Sequence, residues 1–299
     1  MKANWFPTGG VNGLRFASHL RNASECRARV VVLGSFMGGY HVLTELIFGE
    51  LSNRMEVVGI ATDDPTQPYT NAKVRLWRHP HTHEDETLVR RFAASLDIPV
   101  FTGRVKSPEF HELMTQDWKP DLCLMATFGQ KIPKHIIEVP RLGFFNFHHS
   151  GPVWPSYPGP DPIGDMQRDG LSHLVLTMHR VNELIDDGEF FARSHPVPLP
   201  PGVNAIDMHR ITWPQMGDFI RQAVEDVLNP AESLASDSAP PIMHEESLPY
   251  TIGMNPRSAK CALFSASQVV SWSRNAQACK RYRVMPVHRP RADAYLAFE

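Results

Sequence analysis

Two short apolar runs, Asp121-Leu-Cys-Leu-Met-Ala-Thr127 and Gly143-Phe-Phe-Asn-Phe-His148, constrain this chain more than any other stretch. Each is too short for a buried helix and has little polar alternation, the pattern of a strand covered on both faces. Between them, Phe128-Gly129-Gln130 reads as a turn. Ile132 to Ile137 reads as a helix with Pro133 in its first turn, closed by Pro140. Strand, helix, strand is the unit of a parallel sheet, so helices must pack on both of its faces. The strand period of two places Asn146 and His148 on one face, at the carboxyl end of their strand, where open α/β sheets form a ligand crevice. An amide and an imidazole paired there can polarise a carbonyl and handle a proton. The same tripeptide also occurs where two polar residues only cap a turn.

The flanking sequence repeats the unit. Arg29 to Gly34 is a buried strand, followed by the turn Ser35-Phe36-Met37-Gly38-Gly39-Tyr40 and a helix through Val42 to Ile47. This is the opening of a Rossmann-like unit, but it lacks the G-x-G-x-x-G spacing of a dinucleotide site. Its glycines either offer N–H groups to an anion or serve a tight turn. Met55 to Ala61 is a second strand, Glu84 to Leu96 an amphipathic helix, and Ile98 to Phe101 a third strand. Ser107 reads as a cap for a helix over Pro108 to Thr115. Further on come a helix over Ile163 to Arg168, a strand over His173 to Val181 and another over Glu189 to Val197. The spacing of Ile206, Ile211, Met216, Ile220, Ala223 and Val227 predicts a long helix that Pro214 should kink or divide.

The predicted fold class is α/β: a Rossmann-like, mostly parallel twisted sheet with flanking helices, plus a small C-terminal extension. The expected division is an N-terminal arm over 1–27 with a short helix around Leu14 to Leu20, and a catalytic domain over 28–228. A Ser-, Ala- and Pro-rich linker over 229–241 and an extension over 242–299 follow. The 299 residues are 42% hydrophobic, enough for a sizeable core, and a formal charge of -2 gives no bulk attraction for nucleic acid. Four cysteines, Cys26, Cys123, Cys261 and Cys279, are too dispersed for a metal site or a disulfide framework. With no apolar run suited to a signal peptide or a membrane span, the expectation is a cytoplasmic protein without membrane contact.

The loop from Thr62 to Glu84 is too long to be idle connection. It carries His79, His81 and His83, an alternation that suggests a metal. Pro80 interrupts the run and no partner cluster follows, so no metal is expected and ordinary surface histidines are the simpler reading.

The run from Pro120 through Phe128-Gly-Gln-Lys-Ile-Pro-Lys134 to Asn146-Phe-His-His-Ser150 resembles the core of the formyltransferases that use 10-formyltetrahydrofolate. Ile185-Asp186-Asp187-Gly188 looks like that family's Asp-x-Gly loop, and the resemblance covers residues 28 to 228. It implies the formyltransferase fold and 10-formyltetrahydrofolate as formyl donor. Asn146 then orients and polarises the formyl oxygen, His148 stabilises the oxyanion or shuttles the proton, and Asp186 pairs with His148. Asp187 and His149 are neighbours that the same pattern leaves out. Matching positions place Phe128, Gln130, Lys131, Ile132, Ile137, Phe144, Leu184 and Ile185 against the pterin, although apolar residues among them also read as ordinary core. Ser35 and Phe36 lie beside the acceptor site by the same resemblance.

Ser150 to Pro162 departs from the family's Ser-Leu-Leu-Pro-x-Tyr-x-Gly wording, with Gly-Pro-Val-Trp in place of Leu-Leu. Trp154 and Tyr157 are therefore the candidate acceptor contacts, in a loop whose wording looks most like the hydroxyornithine branch. The expected activity is formyl transfer to the nitrogen of a small-molecule amine or hydroxylamine, N5-hydroxyornithine first. An amino sugar nucleotide acceptor, formyl-folate hydrolysis and a non-catalytic folate-binding relative stand as alternatives. A nucleotide-binding Rossmann protein fits less well without the glycine fingerprint. The oligomeric state is not encoded in any of these features.

Overall fold

The computed structural model describes residues 27–229. The expected arm and its helix around Leu14, the linker over 230–241 and the extension over 242–299 lie outside the described residues, as do Cys26, Cys261 and Cys279.

Eight strands form one sheet: β1 (Ala28–Gly34), β2 (Met55–Ala61), β3 (Val100–Phe101), β4 (Leu122–Ala126), β5 (Gly143–Ser150), β6 (His173–Arg180), β7 (Phe190–Arg193) and β8 (Val197–Pro198). The order is β3-β2-β1-β4-β5-β6-β7, with β8 pairing the other end of β6. Pairing is parallel from β3 to β5 and antiparallel from β5 onward. The connections run outward from β1 to β3 and then return to β4 on the other side. The topological switch point, where such sheets open a crevice at their carboxyl ends, therefore lies between β1 and β4.

The alternation along β1 builds a core on each side. Val30 and Val32 face one cluster, shared with Phe145 and Phe147 of β5. Val31 and Leu33 face the other, with Cys123, Phe144, Ile132 and Ile136. On the first face lie α1 (Phe36–Phe48), α2 (His83–Ala94), α5 (Pro162–Arg168), α6 (Ala205–Thr212) and α7 (Gly217–Leu228). The second is closed by α3 (Pro108–Glu112), the π-helical turn that continues it to Trp118, and α4 (Lys134–Ile137). The glycines after β1 serve close packing: a Cβ on Gly34 would collide with the backbone of Gly39, so strand and helix could not meet.

The elements follow the sequence pattern with physical exceptions. The long C-terminal helix is divided, not kinked, because Pro214 falls in a 3-10 turn between α6 and α7. The strand expected over Glu189 to Val197 is two. Ser194 leaves the β7 ladder to bond Leu176 through both its backbone N and its hydroxyl, and Pro196 and Pro198 have no N–H to continue a ladder. Of Ile98 to Phe101, only the last two residues pair with β2. Helix α4 is one turn, with Pro133 as its N-cap instead of inside it. Among the described residues no helix is long and apolar enough to cross a membrane.

Candidate active site

The site is built where β5 passes from parallel to antiparallel neighbours. Asn146 pairs across the ladder with Met125 of β4 on one side and with His179 of β6 on the other; His148 lies opposite Thr177. Both side chains leave the sheet on one face and are almost covered, at 5% and 8% exposure. Asp186 reaches them from the turn after β6. Its backbone is left-handed (φ 49°), a conformation that Asp tolerates better than most side chains.

Asp186 sits between two imidazoles. Its Oδ2 is 3.6 Å from His148 Nδ1 and its Oδ1 is 3.6 Å from His179 Nε2. Asn146 Nδ2 donates to Asp186 Oδ1 at 3.0 Å and to His179 Nε2 at 3.2 Å, and the Gly159 N–H donates to Oδ2 at 2.9 Å. Burial pushes the Asp186 carboxyl up. The His148 charge, the His179 ring and the Gly159 N–H outweigh burial, and it settles at about 2. Asp186 is thus a carboxylate wherever the protein works, whereas Asp187 points into solvent.

The two rings are held in different tautomers. His179 Nδ1–H donates to the Arg180 carbonyl at 2.9 Å, which leaves Nε2 as the acceptor for Asn146. His148 Nε2–H donates to the Tyr157 carbonyl at 2.9 Å, which leaves Nδ1 facing Asp186. At 3.6 Å that contact is longer than a direct hydrogen bond, and Nδ1 is the ring nitrogen turned toward the carboxylate. Both Asn146 amide hydrogens have protein acceptors, so an incoming carbonyl oxygen is received by exchange with one of them.

The 151–160 loop closes over this group. Trp154 stacks on His179, with ring centroids 4.5 Å apart, and its indole N–H donates to the Gly188 carbonyl at 3.0 Å. The Trp154-Pro155 peptide is cis, and Tyr157 is left-handed at φ 54°. Phe36 and Thr127, at the exits of β1 and β4, are left-handed as well. Together with Asp186 these are four of the seven non-glycine residues with left-handed backbone among the described residues, a conformation that stores strain.

The remaining expected contacts divide. Phe128 and Ile137 are half-buried against the second core cluster, Lys131 is exposed, and Leu184 and Ile185 project into solvent at 61% and 57% exposure beside Asp186. Ile132 and Phe144 are buried core residues of the same face. The Gln130 side chain is committed to backbone: it donates to the Gly103 carbonyl and accepts from the Val105 N–H. Ser35 and Phe36 are also buried, Ser35 bonded to Asp63 and Phe36 packed 4.1 Å from Trp77, so this turn presents its backbone rather than these side chains. Pairing of β5 extends through Ser150, which turns His149 to the opposite face against His209 and Trp213.

The alternating histidines do not converge. His79 faces Asp161, which also binds Arg78, while His81 and His83 both approach Glu86. No group of three residues suited to a metal ion occurs among the described residues.

The residue that the sequence reading missed is His179. Its signal was present: it ends an alternating strand on the side carrying Thr177, but only the β5–β6 register reveals that it stands opposite Asn146.

Residues 28–201 match the family model described as formyl transferase. The methionyl-tRNA formyltransferase of Syntrophomonas wolfei subsp. wolfei is 24% identical over 245 residues, which cover 81% of this chain and 69% of the relative. That of Syntrophus aciditrophicus is 30% identical over 167 residues, 54% of this chain and 52% of the relative. Among solved structures, a formyltetrahydrofolate deformylase from Pseudomonas syringae pv. tomato superposes with a TM-score of 0.50 at 19% identity, covering 69% of this chain and 62% of that one. The family match takes in more than half of the chain, from β1 to the residues after β8, and includes every member of the Asn146–His148–Asp186 group. The chain belongs to the formyl transferase family.

Proposed function

We propose that the protein transfers a formyl group from 10-formyltetrahydrofolate to the nitrogen of a small-molecule amine or hydroxylamine, with N5-hydroxyornithine as the first candidate acceptor. The observation that carries this reading is the convergence of Asn146, His148 and Asp186 on one buried point in the middle of β5, beside the carboxyl end of β4. The acceptor nitrogen attacks the formyl carbon, and the carbonyl oxygen gains charge in a tetrahedral intermediate. An Asn146 N–H and protonated His148 stabilise that oxygen. As the C–N10 bond breaks, protonated His148 gives its Nδ1 proton to N10 of the folate, and the proton leaving the attacking nitrogen restores it. Asp186 keeps the imidazolium favourable and fixes the ring's orientation.

The exposed Leu184 and Ile185 beside the site form an apolar edge that a pterin would cover. The loop carrying Trp154 and Tyr157 is anchored to His148, Asp186 and Gly188 by its own backbone and indole, and a rigid wall of this kind selects a small acceptor. The catalytic unit comprises residues 28–228 and works in the reducing cytoplasm. Since the matched relatives are methionyl-tRNA formyltransferases, the test is an acceptor panel with 10-formyltetrahydrofolate: N5-hydroxyornithine, free amines, an amino sugar nucleotide, methionyl-tRNA and water alone. Efficient formylation of a small hydroxylamine or amine is expected. Formylation confined to methionyl-tRNA, or hydrolysis alone, would refute the reading.

A further inference from the structure

Asp63, two residues beyond β2, is 1% exposed and belongs to none of the groups described above. Its carboxylate joins two loops through one oxygen. Oδ2 accepts the Gly129 N–H at 2.6 Å, from the loop after β4, and the Ser35 hydroxyl at 3.3 Å, from the turn after β1. The Asp63 N–H returns to Ser35 Oγ at 3.1 Å, and Thr62 Oγ1 lies 3.2 Å from the same atom. Oδ1 makes no hydrogen bond. Arg75 packs over this arrangement: a Cβ on Gly129 would meet its guanidinium and come within 2.8 Å of Asp63 Oδ2, so a larger residue there would push Arg75 aside. Burial drives the carboxyl up to about 6 against the Arg75 charge, the Gly129 N–H and the Ser35 hydroxyl. A carboxylate in such a place costs folding stability. What it provides is position, because it stands at the switch point between β1 and β4.

We propose that Asp63 is a positioning residue that couples the two substrate loops, tying the β4–α4 loop that receives the folate to the β1–α1 turn beside the acceptor. The inference rests on the formyl-folate reading of the site. The Gly129 peptide lies between Phe128 and Gln130, so a short charge-assisted hydrogen bond to it fixes the direction in which Phe128 and Lys131 leave the strand. Ser35 holds the same carboxylate from the other loop. Ordering either loop with a ligand therefore reduces the cost of ordering the other.

The experiment is calorimetric titration of the full chain with 5-formyltetrahydrofolate, with thermal unfolding of each variant measured alongside. Asp63→Ala should bind about tenfold more weakly, the scale of one lost charge-assisted hydrogen bond. Asp63→Asn, which keeps an oxygen acceptor for Gly129, should recover most of that loss. Ser35→Ala should weaken folate binding several-fold although its hydroxyl reaches only Asp63 and Thr62, and the Asp63→Ala, Ser35→Ala double variant should be no weaker than Asp63→Ala alone. Should Asp63→Ala fail to fold, Ser35→Ala and Asp63→Asn decide the matter. Asp63→Ala or Ser35→Ala affinities within twofold of wild type, or fully additive losses, overturn the coupling. A wild-type chain that does not bind 5-formyltetrahydrofolate overturns the donor reading itself, and the coupling with it.

Discussion

Asp186 carries the electrostatics of the site. It is the one carboxylate in contact with both imidazoles and with the Asn146 amide, while Asp187, its neighbour in the same turn, is exposed and contributes only its backbone carbonyl, to Asn182. A general field effect would treat the two alike; orientation would not. Asp186→Asn should therefore lower kcat by at least about a hundredfold, and Asp187→Asn should leave it within a few-fold of wild type. Asp186→Asn also removes the carboxylate that faces both rings, so its pH–rate profile should differ from wild type, whereas that of Asp187→Asn should not. Steady-state kinetics across pH 5 to 9 reads both effects, and equal losses in the two variants would place the functional carboxylate wrongly. That Asp186 and not Asp187 faces the two rings agrees with the Asp-x-Gly spacing in the sequence. His179 was not legible there, because a period-two pattern says which way a side chain faces and not which residue stands opposite on the next strand.

Among the elements, the 151–160 loop is attached to the Asn146–His148–Asp186 group by backbone as much as by side chains. The Tyr157 carbonyl sets the His148 tautomer, the Gly159 N–H braces Asp186, and Trp154 lies flat against His179. Trp154→Ala should lower kcat/KM for the acceptor about tenfold or more, since stacking and its hydrogen bond are both lost, with folate affinity changed much less. Tyr157→Ala keeps the carbonyl and should preserve kcat better than it preserves acceptor selectivity. Equal effects on both ligands would reduce the loop to a structural cover. The elements themselves were readable wherever apolar periodicity ran unbroken, as in β1, β2, β4 and β5. Reading failed where a single polar contact redirected the chain: Ser194 taking Leu176 out of a longer ladder, or Gln130 satisfying the 103–105 backbone instead of facing the crevice. Such exchanges depend on which groups lie within 3 Å, and sequence spacing carries no record of that.

For the whole molecule, buried imidazoles set the response to acid. Burial holds His209 down to about 3, with the His79 and His148 charges adding to it, and burial likewise holds His41 to about 4 and His149 well below its ordinary value. These groups are neutral in the fold but protonate near 6.5 when it opens, so between 6.5 and their folded values the unfolded chain binds more protons and stability falls as pH falls. A group shifted from 6.5 to about 3 costs about 2 kcal/mol at pH 5. Asp63 works in the opposite sense: its raised carboxyl loses stability as pH rises from its unfolded value to about 6. Asp186 adds stability above the ordinary carboxyl range that disappears only as pH falls through about 2. The histidines outnumber Asp63, so Tm should drop between pH 6.5 and 5, and His209→Gln should flatten that slope. A Tm that rises over this interval would show the imidazoles to be solvated.

Moving a formyl group to a nitrogen is the role proposed for Asn146 and His148 together. Its most direct measurement is single-turnover transfer from 10-formyltetrahydrofolate carrying a carbon-13 formyl label, followed by mass spectrometry of the acceptor. The wild-type chain should place the label on the acceptor nitrogen, and Asn146→Ala and His148→Ala, both folded, should do so slower by about two to four orders of magnitude. Near-normal transfer in both variants, or label recovered only as formate from the wild type, would contradict it.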